Sequence, residues 1–562
     1  MARGKKDKPI FVADCETDPF QKGRIPVPFL WGVYDGNNYE QFEQTSEFIR
    51  YITQIDCICY AHNGGKFDWH FITDWIEYGT DLMIINGRLA SFKIGECEFR
   101  DSWNILPVPL AQMEKTKGDY AIFEATERYK PHNWKIITSY LYDDCRFLFD
   151  YVMGFIDRFG LHLTIAGTAL KTWEKMTNQK AYNDVGGFLY DQFSEYYYGG
   201  RCQAFTTGII TGQCEMIDIN SAYPRAMLDG HPYGALYETL TGEQCETMRH
   251  DMPGHIFVTV TGEAVGALPY RSDDGGLFFP DDKTVRQFHI TGWEWRALHD
   301  TGRATSYTID YGYLFDDVID FNGFIMPLFE ERKICKANAD KKGDLLAKTC
   351  MNSLYGKFAS NPDSYSKFRV TDPERITELK NNREMIDDEW NFGGYFGELA
   401  LLEKPLPDYE QRYYCLPTSA SITGWVRAYL WRAICLCDGV LYCDTDSIIA
   451  RDVSKMMISK ELGEWSHDAT FNGGGIGGKK LYAFEGVDGK WKTAAKGARL
   501  DHTEIMAICR GESVLFEPMA PTFSVHKKPT FNNRTLKTSN KVLTENKPKI
   551  IKKPLAKPIK IF

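Results

Sequence analysis

The sequence predicts a multidomain protein of mixed α/β (α+β) class, and three observations carry that expectation. At 562 residues and 64.4 kDa, with 43% hydrophobic residues, the chain can bury several cores, and its length suggests roughly three to five domains or subdomains. Apolar runs of strand length, IFVAD (10–14), EMIDI (215–219) and VLYCDTDSIIA (440–450), each lead into carboxylates. Helical periodicity covers 135–152, about 328–358 and 421–437, so helices and strands interleave. Between Asp229 and about residue 325 the chain is rich in Gly and Asp, with strand-like pieces such as HIFVTVTG. Residues 361–412 are polar and proline-interrupted, more an insertion than a core, and the prolines of PKIIKKPLAKPIK near the C-terminus exclude a regular helix there.

Composition narrows the function classes. The longest apolar stretch, AYLWRAICLC, is interrupted by Arg432 and falls short of the roughly 18–20 residues a bilayer span needs. The basic start MARGKKDK leads into acids rather than an export signal. Fifteen cysteines, an odd and scattered set without paired metal-ligand spacing, read as reduced thiols in a cytoplasmic protein. The net charge of −10 is unevenly spread. Residues 525–562 hold 11 Lys or Arg against one Glu, while the rest holds 55 basic and 75 acidic residues, a net −20. A basic tail can follow phosphates, and clustered carboxylates elsewhere can hold divalent cations. GGGIGGKK (473–480) only partly matches a phosphate-binding loop, because Lys480 stands where a magnesium-binding Ser or Thr is required. A flexible loop carrying lysines to a phosphate backbone is the expectation there.

FVADCETDPF places Asp14 and Glu16 two residues apart, on the same side of a strand. AHNGGKFDWHF adds Asn63 and Asp68, and ITSYLYDDCRF adds Tyr140 and Asp144. The last pair are four apart and share one helix face, which favours Asp144 over Asp143. His62 and His70 read as packing residues. Four carboxylates and a phenol could hold two divalent ions roughly 4 Å apart, one activating water and the other stabilising a departing 3′ oxygen. Tyr140 could orient the water. A second set follows. MIDINSAYPRAM puts Asp218 at a strand end, and YCDTDSI sets Asp444 and Asp446 around Thr445 in the form of a tight hairpin. Three carboxylates on one sheet would suit nucleotidyl transfer. Between them, LLAKTCMNSLYGKFASNP places Lys348, Asn352 and Tyr355 along one helical stripe.

These strings resemble family B DNA polymerases: DINSAYP as motif A, KTCMNSLYGKF as motif B and YCDTDS as motif C, preceded by a DEDD-type 3′–5′ exonuclease whose last motif carries tyrosine. Within that family the chain looks like the protein-primed, tectivirus-like branch of bacteriophages. YYGGRCQAF (197–205) resembles its Y-x-G-G linker, SITGWVR (421–427) its T-x-x-x-R element and GGKKLY (477–482) its K-x-Y element. CETDPF, AHNGGKFD and FRDSWNILPVPLA add further likeness, and the resemblance runs from about residue 9 to about 500.

The resemblance implies an RNase H-like exonuclease domain (1–180), a linker with the first palm segment (181–228), an insertion binding the priming terminal protein (229–325) and fingers (326–360). It further implies a second insertion serving strand displacement and processivity (361–412), the palm with motif C (413–500), and a thumb with the basic tail (501–562). Asp218 and Asp446 would be metal ligands assisted by Asp444, and Asp14, Glu16, Asp68 and Asp144 those of the nuclease, with two Mg²⁺ (or Mn²⁺) per site. Tyr223 would lie beneath the incoming sugar, and Lys348 and Lys336 would bind the dNTP triphosphate. Asn352 and Tyr355 would contact nucleotide and template, with Gly356 allowing close approach. Tyr197, Gly199, Gly200, Thr423, Arg427, Lys480 and Tyr482 would hold the primer–template. Asn63, Phe67 and Ser102 would grip the single-stranded 3′ end, where stacking is worth roughly 1–3 kcal/mol per base. The implied partners are DNA, dNTPs and a terminal protein, in the host cytoplasm, the chain being a monomer or a heterodimer with that protein. A nucleic-acid-primed repair polymerase and an inactive DNA-binding replication factor are the alternatives.

Overall fold

The structure, a computed structural model, describes residues 8–113, 119–247, 252–273, 275–362, 365–374, 376, 390–407 and 410–538. The Lys/Pro-rich end, 539–562, lies outside the described residues, as do parts of 361–412. The chain is mixed α/β, as expected, and forms two compact units: Met1–Gln192 with Phe321–Ser419 and Leu515–Arg534, and Phe193–Asp320 with Ala420–Val514 and Thr535–Phe562. Among the described residues no helix is long and apolar enough to cross a membrane.

The first unit is built on a ten-stranded sheet. The Ile10–Thr17 strand lies third from one edge, parallel to Ile58–Ala61 and antiparallel to Pro28–Tyr34. Phe11, Val12, Ala13 and Cys15 are buried, so this strand is apolar on both faces until its carboxylates. The Pro131–Phe159 helix starts with proline at its first turn and stops at Gly160, whose φ is 85°. It buries Ile137, Tyr140, Leu141, Asp144, Cys145 and Leu148, a stripe at three- and four-residue spacing. Any side chain at Gly32 would meet Leu141 at 2.9 Å, so glycine is what lets this helix lie close to the sheet.

Two expectations need correction here. Residues 361–412 read as an insertion more than a core. Their strands Ser366–Thr371, Leu399–Pro405 and Asn391–Phe396 instead extend the ten-stranded sheet, Phe368 and Arg369 pairing with Leu82 and Asp81. Phe368, Val370, Phe396, Leu399 and Leu401 pack in one core with Trp31, Phe48 and Phe99. The expected single helix over 328–358 is broken into Asn322–Ala337, Lys341–Ser353 and Tyr355–Phe358. Ala339 has a φ of 56°, and the Asp340 carboxylate caps the next helix by accepting the Gly343 N–H at 2.9 Å.

The second unit holds a seven-stranded sheet in the order Trp491–Ala495, Leu481–Gly486, Trp465–Gly478, Gly208–Ile219, Ser447–Asp452, Asp438–Asp444, Cys202–Ala204. A separate four-stranded sheet, Tyr237–Thr241, Tyr307–Phe315, Ile256–Glu263 and Val285–Thr291, fills much of 229–325. The glycine run 473–478 is strand, not the flexible loop expected. A Cβ at Gly474 would strike the Ala483 carbonyl at 2.2 Å, and one at Gly475 would meet Cys509 at 2.8 Å. Close packing, rather than mobility, requires glycine there.

Candidate active sites

In the first unit, Asp14 and Glu16 leave the end of their strand on one face, and the long helix brings Asp144 to them. One ligand oxygen from each lies within 4.8 Å of the others. Among the described residues this is the one such group of three. Crowded hard oxygen donors of like charge fit a divalent cation. Asp143 instead faces outward beside Arg146, 3.7 Å away. Asp68, expected as a fourth ligand, is not in the group. It is buried and takes hydrogen bonds from the Cys15 thiol and backbone, and burial pushes its pKa up to about 6. Tyr140 is buried one helical turn before Asp144, with its hydroxyl 3.3 Å from that of Tyr120.

The residues expected to grip a single strand are differently placed. Phe67 is half-buried and meets Phe20, Phe71 and Phe523 edge to face. Asn63 has a left-handed backbone, φ 64°, and its amide oxygen accepts Arg88 Nη1 at 2.7 Å. The same nitrogen reaches buried Asp101 at 2.7 Å. Arg88 was missed, because NGRLAS carries no motif and its link to Asn63 exists only after folding. Ser102 is fully buried, donating to the Ala61 carbonyl at 3.2 Å. His62 bridges Ser102 and the Val108 carbonyl at 3.0 and 2.9 Å, a structural part as expected.

In the second unit Asp218 lies one residue from the end of its strand, paired in register with Ser447. The Asp444–Thr445–Asp446 turn precedes Ser447, and Thr445 holds a φ of 61°. The Ile219 N–H donates to the Asp446 carbonyl at 2.8 Å, so the turn lies directly beside Asp218. Lys480 places Nζ 2.9 Å from both oxygens of Asp444. Burial lowers the lysine pKa, yet Asp444 and Asp446 raise it on balance. The Lys480 N–H donates to the Tyr442 hydroxyl at 2.9 Å, and Tyr482 packs edge-on against Tyr442. The backbone therefore brings Asp218 and Asp446 to neighbouring positions on the sheet, two residues of the hard-oxygen type a divalent cation takes, with the Asp444 carboxylate paired to lysine. Tyr223 follows on the short Ala222–Ala226 helix.

Lys336 and Lys348 are exposed, as is Gly356, while Asn352 and Tyr355 are half-buried. All five belong to the first unit and lie on the helices Asn322–Ala337, Lys341–Ser353 and Tyr355–Phe358, where Asn352 Nδ2 donates to the Lys348 carbonyl at 2.7 Å. Tyr197 and Gly200 are half-buried and Gly199 exposed.

Thr423 and Arg427, expected to hold the primer–template, are both buried. They are 1% and 2% exposed. Arg427 Nε meets Glu294 at 2.7 Å, and Nη1 donates to the carbonyls of Tyr198 and Gly199 at 2.6 and 3.1 Å. The guanidinium is consumed inside the protein because Glu294, set by its capping box with Thr291, neutralises it. Arg427→Met should strand a buried carboxylate and cost about 3–5 kcal/mol of unfolding free energy, read by denaturant melts. The double variant with Glu294→Leu should recover most of the loss. An equal loss in both would contradict a buried ion pair.

A family model described as DNA polymerase type B, organellar and viral, matches residues 111–428. The DNA-directed DNA polymerase of Enterobacteria phage PRD1 is 36% identical over 514 residues, covering 89% of this chain and 87% of its own. The DNA polymerase of Bacillus phage phi29 is 25% identical over 589 residues, covering 92% and 96%. A solved structure of phi29 DNA polymerase with primer-template DNA and incoming nucleotide shares the fold, with a TM-score of 0.70 and 18% identity over 95% of this chain and 100% of that one. With the family model spanning more than half its length, and PRD1 polymerase alike over nearly all of it, the chain belongs to the organellar and viral type B DNA polymerases.

Proposed function

We propose that this polymerase replicates a linear viral genome in the host cytoplasm, starting from a hydroxyl of a terminal protein, displacing the strand ahead and proofreading 3′–5′. The observation that carries this reading is the pair of acidic centres, Asp14–Glu16–Asp144 in one unit and Asp218–Asp446 with Asp444 in the other. One builds strands and the other trims them. Mg²⁺ held by these carboxylates would supply charge neutralisation and lower the pKa of the attacking hydroxyl or water.

The chain's own residues do the rest. Lys480 fixes Asp444, leaving Asp218 and Asp446 as the principal ligands. Tyr223 floors the sugar and rejects a 2′-hydroxyl, and Lys348, aided by Lys336, pairs with triphosphate oxygens. Asn352, Tyr355 and Gly356 meet the nucleotide and template. The backbone of Tyr197, Gly199 and Gly200, with Lys480 and Tyr482, holds the primer–template, and Thr423 and Arg427 serve by bracing that backbone. In the nuclease, Tyr140 orients the water, Phe67 stacks on the terminal base and Asn63, steadied by Arg88, fixes its backbone. Asp68 and Ser102 support these from beneath.

The reading keeps 1–180 as exonuclease, 229–325 as the terminal-protein dock and 361–412 as the strand-displacing element, with 181–228 and 413–500 as palm, 326–360 as fingers and 501–562 as thumb and tail. The phi29 relative has been solved with single-stranded DNA as well as primer-template DNA, in keeping with a chain that both extends and degrades. The test is incubation with template, labelled dNTP and candidate terminal proteins. Label covalently attached to protein is expected. Label found solely on nucleic-acid primers would favour a nucleic-acid-primed enzyme.

A further inference from the structure

Arg201, which follows the linker glycines, is 1% exposed, and among the described residues no carboxylate lies within ion-pairing distance of it. Its guanidinium carbon sits 4.2 Å from the Phe279 ring centre, 5.2 Å from Trp431 and 5.6 Å from Phe205. The Gln203 side-chain oxygen accepts Nη2 at 2.6 Å and Nε at 3.1 Å. Burying a guanidinium is costly, and here ring faces, one amide oxygen, the Cys443 thiol and the more distant charge of Asp281 offset that cost. The same residue's carbonyl accepts the Thr445 N–H at 2.6 Å. A Cβ at the neighbouring Gly200 would fall 2.7 Å from Thr445 Cγ2, so the linker lies flat against the Asp444–Thr445–Asp446 turn. Cys202 and Gln203 then pair with Asp444 and Cys443 across the sheet edge.

We propose that Arg201 is a positioning residue for the polymerising centre: its caged guanidinium pins the linker whose carbonyl holds Thr445 left-handed, and this sets Asp444 and Asp446. A flat cation is required, because the cage is made of ring faces; a lysine keeps the charge but not the fit. The inference rests on reading Asp218 and Asp446 as the cation-binding pair.

The experiment compares Arg201→Lys with the unaltered chain, both also carrying Asp14→Ala and Glu16→Ala to silence the nuclease centre. Mn²⁺ binding, followed by electron paramagnetic resonance of the free ion, is expected to weaken about tenfold or more, the range for residues that orient metal ligands. The Mg²⁺ concentration for half-maximal primer extension should rise in parallel. A lowered melting temperature with unchanged Mn²⁺ affinity and Mg²⁺ midpoint would mean stability alone and overturn the proposal. If Arg201→Lys does not fold, Gln203→Met, which removes the carboxamide that accepts from Arg201, takes its place: weaker Mn²⁺ binding with a raised Mg²⁺ midpoint supports the proposal, and unchanged values overturn it. Asp446→Ala in the same background separates the two levels. If it still binds Mn²⁺ and extends primers, the reading of the centre fails; if it loses both while the Arg201 variant is unaffected, this inference alone fails.

Discussion

Asp446→Ala will abolish primer extension while leaving degradation of single-stranded DNA near its original rate. The loss should be on the order of 10²–10³-fold or greater, the scale on which a group stabilising charge at a reacting centre acts. The geometry gives the reason. Asp446 sits beside Asp218 through the Ile219–Asp446 hydrogen bond at 2.8 Å, whereas Lys480 occupies Asp444, so no third carboxylate stands ready to replace it. Since Asp14, Glu16 and Asp144 belong to a different compact unit, degradation of single-stranded DNA serves as the folding control. Gel-resolved extension and digestion of the same labelled oligonucleotide read both. Extension retained within tenfold would remove Asp446 from the centre.

Asp14→Ala with Glu16→Ala should have the opposite effect, cutting single-strand degradation by at least about 10²-fold while extension stays within about twofold. Two of the three crowded carboxylates disappear, and Asp144 alone holds a divalent ion poorly. Removing mutually repelling charges should also leave the melting temperature unchanged or raised. Misincorporated nucleotides should then persist at primer ends. Parallel loss of both activities would contradict two separate centres.

The carboxylates were legible because their geometry is local. Two-residue spacing on a strand puts Asp14 and Glu16 on one face, and four-residue spacing on a helix does the same for Tyr140 and Asp144. Asp68 was not legible in this way. Its direction follows from successive 3₁₀ turns joined at Phe67, φ −147° and ψ −86°, and these aim it at Cys15. The T-x-x-x-R resemblance assigns Thr423 and Arg427 to the primer–template and says nothing of their burial. Their burial depends on Glu294, 133 residues away, which no local pattern announces. The glycine run 473–478 reads as loop from composition, and becomes strand because Ala483, Phe484 and Cys509 close over it. The break at Asp340 did carry a local signal: an aspartate three residues before Gly343 is a helix cap, and it outweighed the continuous apolar periodicity.

On the proposed reading, far-separated aspartates gather into two cation sites, one per unit. Anomalous diffraction at the manganese edge, from crystals with Mn²⁺, a dideoxy-terminated primer–template and the matching nucleotide, tests it most directly. One density peak is expected among Asp14, Glu16 and Asp144 and another between Asp218 and Asp446. Manganese bound elsewhere, with Asp218 turned away from Asp446, would contradict it.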